Sequence, residues 1–362
     1  MGPNINEIIF FISFLVIIIL LLVIDLGFFN KKSHILSFKE ALSWSILWIA
    51  ISILFYFIIR YHGNWIHGMD TIEKLQTRIS NYHHPIIIQG VTLQQAIDLY
   101  NRNLSLEYLT GYLIEYALSV DNVFVIVMIF LSFNIEPRHY KRVLFWGILG
   151  AIIMRFLFIF AASALIQRFA WFLFIFGGLL VFIGGKMAFD FFFARSDQRI
   201  DTERHPVVKL ASRFFHVTKE NRQEKFWVRQ GGKLFITPLF IVLLVIEFSD
   251  VLFAIDSVPA VFSVTEDPYI VFFSNIFAIL GLRSLFFLLM NIINRFYYLK
   301  LGLAVLLTFV GLKMLGHEIY KIDTVTSLYI IAAILAVTMV VSIIRAVIFR
   351  NRKKHPGNEK GL

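Results

Sequence analysis

The stretches Glu115-Tyr-Ala-Leu-Ser-Val-Asp121-Asn122-Val123 and Asp250-Val-Leu-Phe-Ala-Ile-Asp256-Ser257-Val258 share one pattern. In each, two acids stand six positions apart, followed by a small polar residue and Val, within otherwise apolar sequence. The offset between them is 135 residues, and the match continues downstream. GILGAIIMRFLFIF (147–160, with Arg155) aligns with NIFAILGLRSLFFL (275–288, with Arg283), and IGGKM (183–187) with VGLKM (310–314). A period of this size marks an internal repeat.

Each copy covers three apolar segments long enough to cross a bilayer, which takes about 20 residues at about 1.5 Å rise. Along the whole chain that criterion predicts nine spans, near 7–29, 38–59, 107–132, 143–164, 169–194, 236–262, 269–291, 300–316 and 327–349. The repeat therefore runs from spans 3–5 to spans 6–8. Three is odd, so the two copies must insert in opposite orientations, the inverted repeat of many secondary transporters with binding near the midplane. The predicted fold is an all-α polytopic membrane protein of nine transmembrane helices, with an inverted 3+3 helix repeat plus peripheral helices. Its organisation reads as two peripheral helices (1–60), an outer loop (61–106), the first repeat (107–194), a basic cytoplasmic loop (195–235), the second repeat (236–316), and a last helix with a basic tail (317–362).

Composition agrees with a life in lipid. Of 362 residues, 58% are hydrophobic, only 16% are charged and 40 are Phe. The net charge of +10 would suggest nucleic acid in a soluble chain. Here the basic residues sort by side: 23 of the 34 Lys and Arg fall after spans 1, 3, 5, 7 and 9, and seven in the alternate loops. The positive-inside rule then places the N-terminus outside and the C-terminus in the cytosol, with no nucleic-acid partner. The start carries Glu7 and no Lys or Arg, so it reads as a retained span rather than a cleaved signal. With no Cys, thiolate metal sites and thiol nucleophiles are excluded.

Two loops are long. Residues 61–106 hold His62, His67, His83 and His84, but no i,i+4 ligand pair and no HExxH, so a plain solvated loop is expected. Residues 207–215 of the cytoplasmic loop have apolar residues at helical spacing beside Lys209 and Arg213, as in an amphipathic surface helix.

Deep in the spans lie five acids, Glu115, Asp121, Glu247, Asp250 and Asp256, against two bases, Arg155 and Arg283. An Asp near a helix centre costs about 2.5–3.5 kcal/mol on insertion, so these are expensive unless a site needs them. The excess of negative charge calls for a bound cation or for protons. Six residues of α-helix rise about 9 Å and leave Glu115 and Asp121 about 120° apart, so one helix cannot build the site. The repeat instead pairs Asp121 with Asp256, flanked by Asn122 and Ser257, while Pro259 can free backbone carbonyls. Asp250, Glu115 and Glu247 complete the candidate ligands, with Arg155 and Arg283 as counter-charges or gates. Oxygen donors of this kind suit Mn, Mg or Ca.

With these residues in view, the chain resembles the TerC/Alx family of bacterial integral membrane proteins. The carrying stretches are LTGYLIEYALSVDNVFVIVMIF (109–130), RVLFWGILGAIIMR (142–155), FWVRQGGKLFITPL (226–239) and VIEFSDVLFAIDSVPAVF (245–262) and its continuation to residue 289. The resemblance implies a multi-pass transporter of the bacterial inner membrane, with manganese efflux as its activity and tellurium resistance as an older association. It carries the family acids onto Glu115, Asp121, Glu247, Asp250 and Asp256. Two departures stand out: Tyr116 where many relatives have Lys, and a longer outer loop. The leading expectation is a secondary exporter of divalent cations, Mn2+ first, coupled to a gradient such as protons. It is no enzyme and holds no prosthetic group. The alternative is a tellurium-resistance factor or a non-transporting membrane protein that assists metalation or assembly of other proteins.

Overall fold

The computed structural model describes residues 5–29, 37–133, 135–169, 171–193, 216–217, 225–230, 233–292, 298–316, 322 and 324–354. The described residues are helical nearly throughout. Two helices, α1 (Ile5–Phe29) and α2 (Phe38–His62), lead into two short ones, α3 (Asn64–His67) and α4 (Ile72–Asn81). Then come α5 (Leu93–Ser132), α6 (Tyr140–Arg168), α7 (Phe172–Phe193), α8 (Pro238–Phe262), α9 (Pro268–Leu280), α10 (Leu282–Ile292), α11 (Leu299–Leu315) and α12 (Thr324–Lys354).

Local chemistry sets several boundaries. Ser37 and Glu40 form a capping box at the start of α2, and Thr92 and Gln95 another at α5, each satisfying two otherwise orphaned backbone donors. Pro238 and Pro268 open α8 and α9, where a missing N–H costs nothing. Within α8, Pro259 removes the hydrogen bond that would reach the Ile255 carbonyl, one residue before Asp256.

Among the described residues, eight segments are long and apolar enough to span a membrane, one fewer than predicted. The remaining expected span, 300–316, is α11, whose 17 residues extend about 26 Å, short of the roughly 30 Å hydrocarbon core. It packs along α7, the most extensive helix pairing among the described residues. Gly177, Gly184 and Gly311 allow this: a Cβ on Gly177 would lie 3.0 Å from the Gly311 carbonyl oxygen, and one on Gly184 would lie 2.8 Å from that of Ala304.

The fold departs from the all-α expectation at one point. Strands β1 (His216–Val217), β2 (Trp227–Gln230) and β3 (Lys233–Ile236) form a small sheet in the order β1-β3-β2 within the segment read as a basic loop. β2 and β3 make an antiparallel hairpin with Trp227 opposite Ile236, the turn signal being Gly231-Gly232. The predicted amphipathic helix at 207–215 lies outside the described residues.

The segment 61–106, expected as an outer loop, also differs from a plain solvated loop. It contains α3, α4 and the first fourteen residues of α5, and it buries His67 and His84. At 40 residues α5 is about 60 Å long, twice the hydrocarbon thickness, so its polar N-terminal part stands clear of the lipid. A hydropathy criterion registers only the apolar half of such a helix.

At the centre lies α9, buried along its entire length, in contact with α5 and α6 and bonded at its start to α3 through Asp267. A wedge of Phe14, Phe55, Phe273 and Phe277 fixes α1 and α2 against it, with Phe14 and Phe273 ring centres 4.4 Å apart. α1, α7 and α12 are the least buried spans and present apolar side chains outward.

Candidate cation site

Four helices meet around Arg155 of α6. Its guanidinium is wholly buried and forms an ion pair with Glu115 of α5. The same Nη1 donates to Ser257 Oγ of α8 at 3.0 Å and to Asn275 Oδ1 of α9 at 2.8 Å. Two hydrogens serve three acceptors, so one is shared. Asn275 closes the ring by donating from Nδ2 to Glu115 Oε2 at 2.9 Å. Nη2 stands 3.5 Å from Asp250 Oδ1, an ion pair at the outer limit of contact.

A buried guanidinium is tolerable only because acids and polar oxygens pair with it and bond it. Bonding is nevertheless incomplete. Arg155 Nε and Nη2, Asp250 Oδ2 and Asn122 Nδ2 are buried without hydrogen-bond partners among the described residues. A cavity of about 30 Å3 opens beside Asp250 between Gly147, Ile148, Ala151 and Leu282. That is room for a water or a bare ion, since a water needs about 10–15 Å3 by this measure.

Glu247, one turn before Asp250, occupies a notch in α6. Both its carboxylate oxygens rest where a Cβ of Gly150 would sit. Asp256 is half-buried, within electrostatic range of Glu115 and Arg155. Arg283 is buried on α10. The side chain of Asp121 lies outside the described residues. Among the described residues, no three acid or imidazole side chains converge as metal ligands. Of the residues singled out by sequence, Glu115, Arg155, Asp250 and Ser257 are thus brought into one constellation, with Glu247, Asp256 and Asn122 around it.

Asn275 is the member that sequence reasoning passed over. In the alignment of the two matching stretches Asn275 stands opposite Gly147, so its amide has no counterpart at that position. A second polar network also went unanticipated, joining Glu7, His67, Arg78 and Asp267 at the end of the bundle where α8 turns into α9.

Comparison with known proteins gives a consistent assignment. The model of the integral membrane protein TerC family matches residues 100–354. The chain is 40% identical over 331 residues to the candidate membrane-bound redox modulator Alx of Salmonella typhi, covering 91% of this chain and 92% of that protein. Alx of Escherichia coli K12 is 39% identical over 331 residues, with coverage of 91% and 92%. An uncharacterized membrane protein of Myxococcus xanthus is 38% identical over 334 residues, 92% of each chain. No solved structure matches. A helical bundle with acids and arginines buried in its spans, matched by this family model over most of its length, belongs to the integral membrane protein TerC family.

Proposed function

We propose that the protein is a secondary transporter that exports divalent metal cations, Mn2+ first among them, across the bacterial cytoplasmic membrane. The observation that carries this reading is the position of Arg155. A single guanidinium takes the charge and hydrogen-bond capacity of Glu115, Asp250, Ser257 and Asn275, the oxygen-rich donor set a hard cation would use. In this reading Arg155 stands in for the cargo in the empty state and yields as the cation arrives. Asp256 and Asp121, with Asn122, supply further oxygens, and protons returning to the same carboxylates supply the coupling.

The two matching stretches, read as an inverted repeat, would support the same reading. At the offset of 127 residues, Gly177 corresponds to Ala304 and Gly184 to Gly311. The close contacts between α7 and α11 are Gly177 with Gly311 and Gly184 with Ala304, a pair of contacts that exchanges into itself under that correspondence. A two-fold axis between antiparallel equivalents produces this pattern. The orientation proposed from loop charge puts the N-terminus outside and the C-terminus inside.

A redox-modulating role, as in the description of the Alx relatives, would have to run without thiol–disulfide chemistry of this chain, which has no Cys. A tellurium-resistance or metalation factor without flux is the remaining alternative. Purified protein in proteoliposomes, loaded with a Mn2+-sensitive dye and energised by a pH gradient, separates these. Transport requires Mn2+ flux that vanishes in Asp256→Asn. Absence of flux in a folded wild-type protein would leave the assisting role.

A further inference from the structure

The outer cap is held by a buried chain of charges. His67, at the end of α3, is completely buried, and both its ring nitrogens face carboxylates: Nδ1 lies 2.8 Å from Glu7 Oε1 of α1, and Nε2 lies 2.7 Å from Asp267 Oδ2. A neutral imidazole has one donor nitrogen; an ionised carboxylate only accepts. Both contacts are hydrogen bonds only when the ring carries two protons.

Every element around His67 contributes to this balance. Glu7 also pairs with Arg78 of α4 and accepts from Tyr269 Oη of α9 at 3.4 Å. Asp267 caps α9, its Oδ1 accepting from the Tyr269 backbone N–H at 3.0 Å. The Tyr82 and Tyr269 rings flank His67, and the Tyr100 ring of α5 lies edge-on to His84. From α5, Glu107 takes hydrogen bonds from Thr265 at 2.6 Å and Asn103 at 2.6 Å, with His84 Nδ1 at 2.9 Å. At the exposed margin His83 meets Glu266 at 3.0 Å. Among the described groups of this network, the acids Glu7, Glu107 and Asp267 balance the partly buried Arg78 only if His67 and His84 are both charged.

Thr265 and Asp267 belong to the turn that joins α8 to α9. Those two helices carry Asp256 and Ser257 on one side of the turn and Asn275 on the other. We infer that His67 is a proton site on the outer face that latches this turn: with two protons it bolts Asp267 to Glu7 of α1, and on losing one it releases the outer ends of α8 and α9. Burial alone would lower the His67 pKa, and the Asp267 and Glu7 carboxylates outweigh it and move it upward. The latch therefore stays closed beyond the pH at which a free imidazole loses its proton, and opens as the outside pH rises further. It rests on the cap alone and stands whether or not the site below carries metal.

Hydrogen exchange of the full-length protein tests it without any transport assay. In the wild type, protection of the 263–271 backbone, corrected for intrinsic exchange, should fall about tenfold or more between about pH 6 and about pH 9, while the middle of α5 keeps its protection. In His67→Gln the turn should be weakly protected at both pH values. A flat wild-type profile, or an unchanged pH dependence in His67→Gln, would overturn the latch. If His67→Gln also loses protection in α5, Asp267→Asn replaces it; opening at lower pH than the wild type is then expected, and an unshifted midpoint counts against the inference.

Discussion

Arg155 and Asp250 face each other across the α6–α8 boundary, 3.5 Å apart, while the same guanidinium holds Glu115 of α5. One cation thus serves two acids that occupy equivalent places in the two matching stretches. Arg155→Gln keeps a planar polar side chain and removes the charge. Breaking a buried pair from one side costs about 3–5 kcal/mol, because the partners remain buried and uncompensated. The variant should unfold at a lower temperature than the wild type, and Mn2+ should restore more of its stability than it adds to the wild type. Thermal unfolding with titrated Mn2+ measures this. Equal responses in the two proteins would mean that the guanidinium does not occupy the cargo's place.

Glycine positions separate site from scaffold. An added methyl at Gly150 meets the carboxylate end of Glu247, a flexible tip that can swing aside. At Gly184 it meets the Ala304 carbonyl and the Thr308 backbone nitrogen, which cannot move independently of α11. Gly150→Ala should fold like the wild type with impaired Mn2+ flux. Gly184→Ala should lose about 1–3 kcal/mol through overpacking. Comparing melting temperature with flux for the two variants distinguishes the roles, and the reverse ranking would sink the assignment of Glu247 to the site.

Much of this was legible because lipid imposes a strong rule: a charge in a span must have a reason. That rule singled out Glu115, Arg155, Asp250 and Ser257's neighbour Asp256 from spacing alone. It could not find Asn275, since a lone amide in an apolar stretch is cheap enough to pass unnoticed. It also misread 61–106, because His67 and His84 are buried by partners scattered from Glu7 to Asp267, a separation that periodicity does not register. The small sheet at 216–236 was hidden for a related reason: strands of two to four residues carry too few alternations to read.

Sidedness is open to direct labelling in a chain without Cys. Ile87 is 80% exposed beyond α4, and Lys225 is exposed just before β2. In intact cells Ile87→Cys should react with an impermeant maleimide, and Lys225→Cys only after the membrane is opened. The opposite result would reverse the proposed orientation.

The pH dependence of stability follows from the His67–Asp267 pair, and the two partners act in opposite directions. Burial would raise the Asp267 pKa, but the charge and hydrogen bond of His67 bring it below its ordinary value. A depressed carboxyl contributes stability that is present above its unfolded value of about 4 and is lost as pH falls through the lower folded value. The raised His67 contributes stability that is full below its unfolded value of about 6.5 and is lost as pH rises through the higher folded value. The pair is therefore at full strength between about pH 4 and about pH 6.5, and weakens on both sides. Subtracting the melting temperature of His67→Gln from that of the wild type at each pH isolates this contribution, which should peak in that window and decline most visibly on the alkaline side. A difference that stays constant from acid to alkaline pH would make His67 a neutral hydrogen-bond bridge, with no proton to lose.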